Sequence, residues 1–256
     1  MQKDISGILA GWDHVPDELS VRRIRGIDGR TKIQLRLDLG LLQMEMDGRP
    51  DGTRPFGMES LLEYYQALLQ QRRAQGALDE EFRLDANDCL LIQQEAIQYY
   101  HRYLCLFHLE DFKRATRDTA RNLQVFDLVK RYAEEEEQKW ALDQYRPYVI
   151  MVHTKAKSLV SISEDRHDRA VEQVEEGIAL IEEFFEEYGS PDQIETSQEI
   201  ALLKNWLAEI KRMGAPGVRQ RLEEALHRAV EQEAYEKAAE LRDRIRRLQR
   251  DKSLST

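Results

Sequence analysis

MESLLEYYQALLQQRRAQ, residues 58–75, is where the pattern of the chain changes. Leu61, Leu62, Tyr65, Leu68 and Leu69 recur at steps of three and four, the period of an α-helix with one apolar face. Downstream this period persists, whereas residues 20–47 follow a period of two. A chain that switches once and then stays helical reads as mainly α with a small N-terminal antiparallel β-meander.

Upstream of the switch, Ile33, Leu35, Leu37 and Leu39 alternate with Lys32, Gln34, Arg36 and Asp38, as in a half-buried strand. After Gly40 the parity inverts, with Leu42, Met44 and Met46 set against Gln43 and Glu45, which predicts a turn or bulge at Gly40. VRRIRG, residues 21–26, supplies a third strand, joined through Asp28-Gly29. Three short strands do not hold alone, so the meander is expected to pack on helices. DGRPDGTRPFG, residues 47–57, is a rigid, turn-rich loop. Its Arg49 and Arg54, beside free N–H groups ahead of a helix, form a weak anion-binding candidate. No phosphate-loop Lys-Ser/Thr follows, so a plain strand-to-helix connection is the simpler reading.

Downstream, Asp85 or Asn87 caps a second helix ending near His108, and Glu110-Asp111 opens a third from Phe112 to Tyr132. A fourth begins in EEEEQKW, with Pro147 expected to kink or split it. The acidic run Glu134 to Glu137 reads as a solvated helix N-terminus. A fifth helix runs from Asp165 to Tyr188 and a sixth from Asp192 to Met213, ended by Gly214. In EDFKRATRDTARNL, Phe112 precedes Ala115 by three and Asn122 follows it by seven; Ala170 and Gly177 repeat the seven-residue interval. Small residues at this interval let antiparallel helices approach closely, and the pattern resembles half of a tetratricopeptide repeat. The two alanines are 55 residues apart, where that family uses about 34. A tetratricopeptide-like array of helical hairpins and an irregular bundle are both open; an array of that kind offers a concave binding surface.

Bulk properties narrow the class. The 256 residues carry a net charge of -10, with 41% hydrophobic residues and only 13 glycines and 6 prolines. An acidic whole argues against a protein that coats nucleic acid. The charge is uneven: residues 211–256 hold 12 Lys+Arg against 8 Asp+Glu, while residues 1–56 balance at 9 and 9. Cys89 and Cys105 sit in apolar helical contexts and read as reduced, buried thiols. There is no signal-peptide pattern and no long apolar run, so a cytoplasmic protein with no membrane partner is expected.

After Gly214-Ala215-Pro216-Gly217, a hinge, two short amphipathic helices remain. VRQRLEEALHRAVEQE sets Leu222, Leu226, Ala229 and Val230 on one face; YEKAAELRDRIRRLQ sets Tyr235, Ala238, Leu241, Ile245 and Leu248 on another. The short connection makes them antiparallel. Leu226, Ala229, Tyr235, Glu236, Ala238, Ala239, Leu241, Arg242, Asp243, Ile245 and Leu248 stand where the UVR motif has them. That motif, to which the segment is similar, is a helical hairpin shared by subunits B and C of the bacterial excinuclease, some Clp ATPases and the zinc-finger activator of protein arginine kinase. The resemblance covers about 33 of the 256 residues. It implies contact with a protein: a second copy of the chain or another UVR-bearing protein. It makes Leu226, Tyr235, Ala238, Ala239, Leu241, Arg242, Asp243 and Ile245 the candidate partner-binding residues, with Arg242 and Asp243 setting pairing by charge. The nucleotide-binding loop, nuclease motifs and C-x-x-C pairs of the larger UVR proteins are not in this sequence, so ATP hydrolysis, incision and zinc binding do not carry over.

His101, Cys105 and His108 are spaced as metal ligands on one helical face, but the aromatic crowding of QYYHRYLCLFHLEDF favours packed or hydrogen-bonded histidines. The arginines of the last helix are interrupted by acids and lack interleaved aromatics, so direct nucleic-acid contact is the lesser reading. The expectation is thus a bacterial interaction adaptor or scaffold, with no catalytic residues, cofactor or metal. It comprises a meander and loop (1–56), a helical body (57–213) and a UVR hairpin (217–249). The alternative is a DNA-repair accessory factor that binds nucleic acid directly.

Overall fold

The computed structural model describes residues 4–213, 218–231 and 234–243. Strands β1 (Val21–Arg25), β2 (Thr31–Leu37) and β3 (Gly40–Glu45) form an antiparallel meander in that order. The β1–β2 turn passes through Gly29 at φ +74°, a left-handed conformation that glycine adopts without steric cost. The inversion at Gly40 is a two-residue hairpin: Leu37 pairs with Gly40, and Asp38 and Leu39 make the turn.

Alternation predicts Gln34 on a solvent face, but the structure buries it. The segment before β1, which contains the short helix α1 (Ser6–Leu9), laces over that face. Arg22 lies over the Trp12 ring at 3.8 Å, Trp12 donates to Ser20 Oγ at 2.6 Å, and Arg36 donates to the Trp12 carbonyl at 2.9 Å. Gln34 is satisfied beneath this cover, accepting from Arg22 Nε at 2.8 Å and donating to Gln43 at 3.0 Å. A buried amide with both ends bonded avoids the desolvation penalty of an orphan.

The helices begin where local chemistry satisfies their first N–H groups. Ser60 caps α2 (Leu61–Ala74) by accepting from the Glu63 N–H. Asp85, rather than Asn87, caps α3 (Ala86–His108) in a reciprocal box with Asp88. Asp111 caps α4 (Phe112–Tyr132), whose ends are those the sequence predicts. The fourth predicted helix divides into α5 (Glu136–Asp143) and α6 (Arg146–Ser163), with Pro147 in the first turn of α6, where its missing N–H would be unpaired anyway. Glu134 to Glu137 are exposed at the start of α5. The fifth is α7 (His167–Glu187). The sixth divides into α8 (Asp192–Thr196) and α9 (Gln198–Met213) at Ser197, whose Oγ accepts from the Ile200 N–H at 3.2 Å and so caps a new helix.

Helix α4 is central, packed on α3 on one side and α6 on the other, and α6 packs in turn on α7. One apolar core joins α2 to α6 through Leu62, Tyr65, Ile92, Val125, Val129 and Val149. A second lies under the meander, where Ile33, Leu35 and Met44 meet Cys105, Leu106, Ala115 and Ala156. Gly177 sets the α6–α7 distance: a Cβ there would fall 2.6 Å from Thr154 Cγ2 and 2.9 Å from its Cβ.

The chain divides into two compact units, one ending at Leu207 and one starting at Ala208, so the boundary lies within α9. The meander and the helical body as far as Leu207 thus share the first unit. The hinge read at residues 214–217 lies outside the described residues.

Candidate interaction site

In the second unit, α10 (Val218–Glu231) is followed by helical residues 235–243. The Ala234 N–H closes on the Ala229 carbonyl at 2.8 Å, and the Ala238 N–H on the Ala234 carbonyl at 3.0 Å, starting the second helix directly after the turn. Ala229 and Ala238 are buried, and Leu226 and Leu241 are half-buried. Small side chains at these positions leave little bulk between backbones and allow close approach.

The other expected contact residues point outward. Tyr235 is 67% exposed and Val230 49% exposed, while Ala239, Arg242 and Asp243 are also exposed. The apolar face read from the sequence is therefore divided: Ala238 and Leu241 turn inward, and Tyr235 presents its ring to solvent. Ile245, Leu248 and the Leu222 side chain lie outside the described residues. A large amphipathic ring exposed beside small buried residues is the kind of anchor that protein interfaces desolvate.

Arg49 and Arg54 do not converge. Arg49 Nε is 3.3 Å from both Asp51 and buried Glu95, whereas exposed Arg54 pairs with Glu59 at 3.5 Å. Arg49 belongs to a clamp that fastens the 47–57 loop to α3 and α4. Arg102 donates to Asp118 through Nε and Nη2, and through Nη1 to the carbonyls of Glu45 at 3.0 Å and Gly48 at 2.7 Å. Glu95 accepts from the Leu61 N–H with both oxygens, at 3.1 and 3.0 Å, and pairs with Arg121. Its charge therefore sits at the N-terminus of α2, where the helix dipole favours an anion. Arg102 and Arg121 both lie over Tyr99, at 4.8 and 4.0 Å from the ring centre. Asp47 bonds Arg114 and Arg117, and the Arg114 hydrogen bond is the chief cause of its lowered pKa.

Glu95, Arg102, Asp118 and Arg121 carry no recognisable motif, although the sequence holds a signal for them. Glu95 and Arg102 interrupt the buried stripe Ile92, Ala96, Tyr99, Tyr103, Leu106, and Asp118 interrupts the stripe Ala115, Asn122, Val125, Val129. Charges placed on a buried stripe are expected to be paired.

His101, Cys105 and His108 separate on α3. Cys105 is buried beneath the meander, His101 lines a cavity on the body, and His108 is exposed at the helix end. Among the described residues no group of three or more His, Cys, Asp or Glu could hold a metal ion. Burial pushes the Cys89 thiol up to about 11 and the Cys105 thiol up to about 12, so both are protonated near neutral pH. No described helix is long and apolar enough to cross a membrane.

Two consecutive helices, with Ala229 and Ala238 buried and Tyr235 turned outward, make up the described part of this unit's C-terminal segment. The family model described as the UvrB/uvrC motif matches residues 218–251, so the chain carries a UVR motif there. No curated protein and no solved structure matches the chain. The tetratricopeptide-like reading of the body accordingly stands as an expectation from residue spacing.

Proposed function

We propose that this protein is a non-enzymatic adaptor or scaffold that engages another protein through its UVR hairpin. The observation that carries the reading is the motif match at residues 218–251 together with the outward placement of Tyr235. A hairpin of this size has little core of its own. A second hairpin, from another copy or another UVR-bearing protein, would cover Tyr235 and Val230 in a four-helix arrangement. Arg242 and Asp243 then supply charge complementarity at the rim. The partner class this favours is the excision-repair or Clp-type stress machinery of a bacterial cytoplasm, where UVR-bearing proteins are expected.

The test is affinity capture from native lysate at low and moderate salt, with the full chain compared with a chain ending at Met213 and the eluates read by mass spectrometry. Loss of a UVR-bearing or ATPase partner on truncation supports the adaptor reading, and identical profiles reject it. Retention of DNA that disappears steeply with salt would instead favour direct nucleic-acid binding.

A further inference from the structure

The helical body holds a cavity of about 480 Å³ between α3, α4, α5 and α6, within the size range of small-molecule sites. Ile97, Tyr100, Tyr103, Phe126, Tyr145 and Tyr148 make most of its wall, and no Lys, Arg, Asp or Glu lines it. The cavity opens to solvent past exposed Ile97 and Tyr145, so it has an entry path of the kind small-molecule clefts use.

The polar groups on the wall fall into two sets. Asn122 is fixed, donating to the Ala96 carbonyl at 3.0 Å and accepting from Arg121 at 3.0 Å. Tyr103 is different: it is 1% exposed, it lines the cavity, and no side chain or backbone group among the described residues is hydrogen-bonded to its hydroxyl, which therefore faces the cavity space. His101 lines the same space and makes a ring contact to Tyr100. A hydroxyl at the wall of an open cavity can bond water, and a ligand that displaces this water must offer the same hydrogen bond to bind without loss.

We propose that this cavity is a binding site for a small, uncharged, largely apolar molecule with an aromatic face and one hydrogen-bonding group. Walls without formal charge could not compensate a buried ionic ligand. The rings of Tyr100, Phe126, Tyr145 and Tyr148 suit an aromatic face by stacked or edge contacts. Tyr103 and His101 supply the polar contact. Burial holds the His101 pKa below its ordinary value, so the ring is neutral at physiological pH and agrees with an uncharged ligand. The site lies on the helical body and does not depend on the UVR reading.

The test is a fluorescence titration of the full chain with N-phenyl-1-naphthylamine, a neutral aromatic probe, beside 8-anilinonaphthalene-1-sulfonate, its anionic counterpart. The expected result is saturable one-to-one binding of the neutral probe, at least tenfold tighter than the anionic one. Ile97 is 48% exposed at the wall, so Ile97→Arg should fold and weaken binding at least tenfold. Tyr145→Arg, at another exposed wall position, gives a second reading should the first variant be unstable. Leu180→Arg, an exposed apolar position on α7 away from the cavity, should bind as the wild type does. The proposal is overturned by the absence of saturable binding, by equal affinity for the two probes, or by wall variants that bind like the wild type.

Discussion

Arg102 and Asp118 face each other across the α3–α4 seam as a fork, with Nε–Oδ2 at 2.6 Å and Nη2–Oδ1 at 2.9 Å, and both side chains buried. The pair is also the anchor of the loop that enters the helical body, because the remaining Arg102 nitrogen holds the Glu45 and Gly48 carbonyls. Removing one partner of a buried pair strands the other charge, at a cost of about 3–5 kcal/mol. Asp118→Ala is expected to lower the unfolding free energy by that order in urea titrations. Asp118→Leu combined with Arg102→Met should recover part of the loss, since no charge is stranded, but not all, since two carbonyls lose their donor. A loss below about 1 kcal/mol for Asp118→Ala would show that the pair does not hold this seam.

Gly177 and Thr154 make the α6–α7 contact a matter of one methyl group. A Cβ at Gly177 would meet the buried Thr154 side chain well inside van der Waals distance. Gly177→Ala is expected to destabilise by about 1–3 kcal/mol despite the better helix propensity of alanine. Adding Thr154→Ala should return part of that loss, because only the Cβ contact at 2.9 Å then remains. Calorimetric melting temperatures of the two single variants and the double variant check the coupling.

Stability should fall on mild acidification. His153, whose Nδ1 lies 3.0 Å from Thr119 Oγ1, has its pKa lowered first by burial and then by Lys157. His101 is lowered by burial. A histidine whose folded pKa is depressed binds protons more readily when unfolded, so its contribution is complete above about pH 6.5 and is lost as pH falls through the folded value. Carboxylates act lower: Asp79, held at about 2 chiefly by its Arg73 hydrogen bond, loses its contribution only as pH falls below the ordinary carboxylate range. The urea midpoint is therefore expected to be lower at pH 5.5 than at pH 7.5, and His153→Gln should shrink that difference. A midpoint flat across this interval would contradict the assignment.

Much of the fold is legible because its signals are local. The period change at Met58, the parity inversion at Gly40 and the acidic caps at Asp85 and Asp111 each act within a few residues. The splits at Tyr145 and Ser197 depend on Pro147 in a first turn and on a serine cap, of which only the first announces itself in sequence. Gln34 escapes the strand pattern because its partner Arg22 is itself stacked on Trp12, a residue whose role depends on tertiary placement. For the same reason the clamp is only half readable: Glu95 and Arg102 betray themselves as charges on an apolar stripe, but their partners Arg49 and Asp118 come from other elements. At the hairpin the residue types identify the module, while the outward turn of Tyr235 is visible only in the structure.

If the hairpin grips another protein as proposed, the most direct test keeps the whole chain and changes only its outward face. Tyr235→Ala combined with Arg242→Glu alters exposed positions and should leave the circular dichroism spectrum and melting temperature unchanged. The wild type and this variant are compared by quantitative capture from native lysate, followed by titration of the recovered partner. The adaptor account predicts a partner whose affinity drops at least tenfold in the variant; every partner bound at wild-type affinity would contradict it.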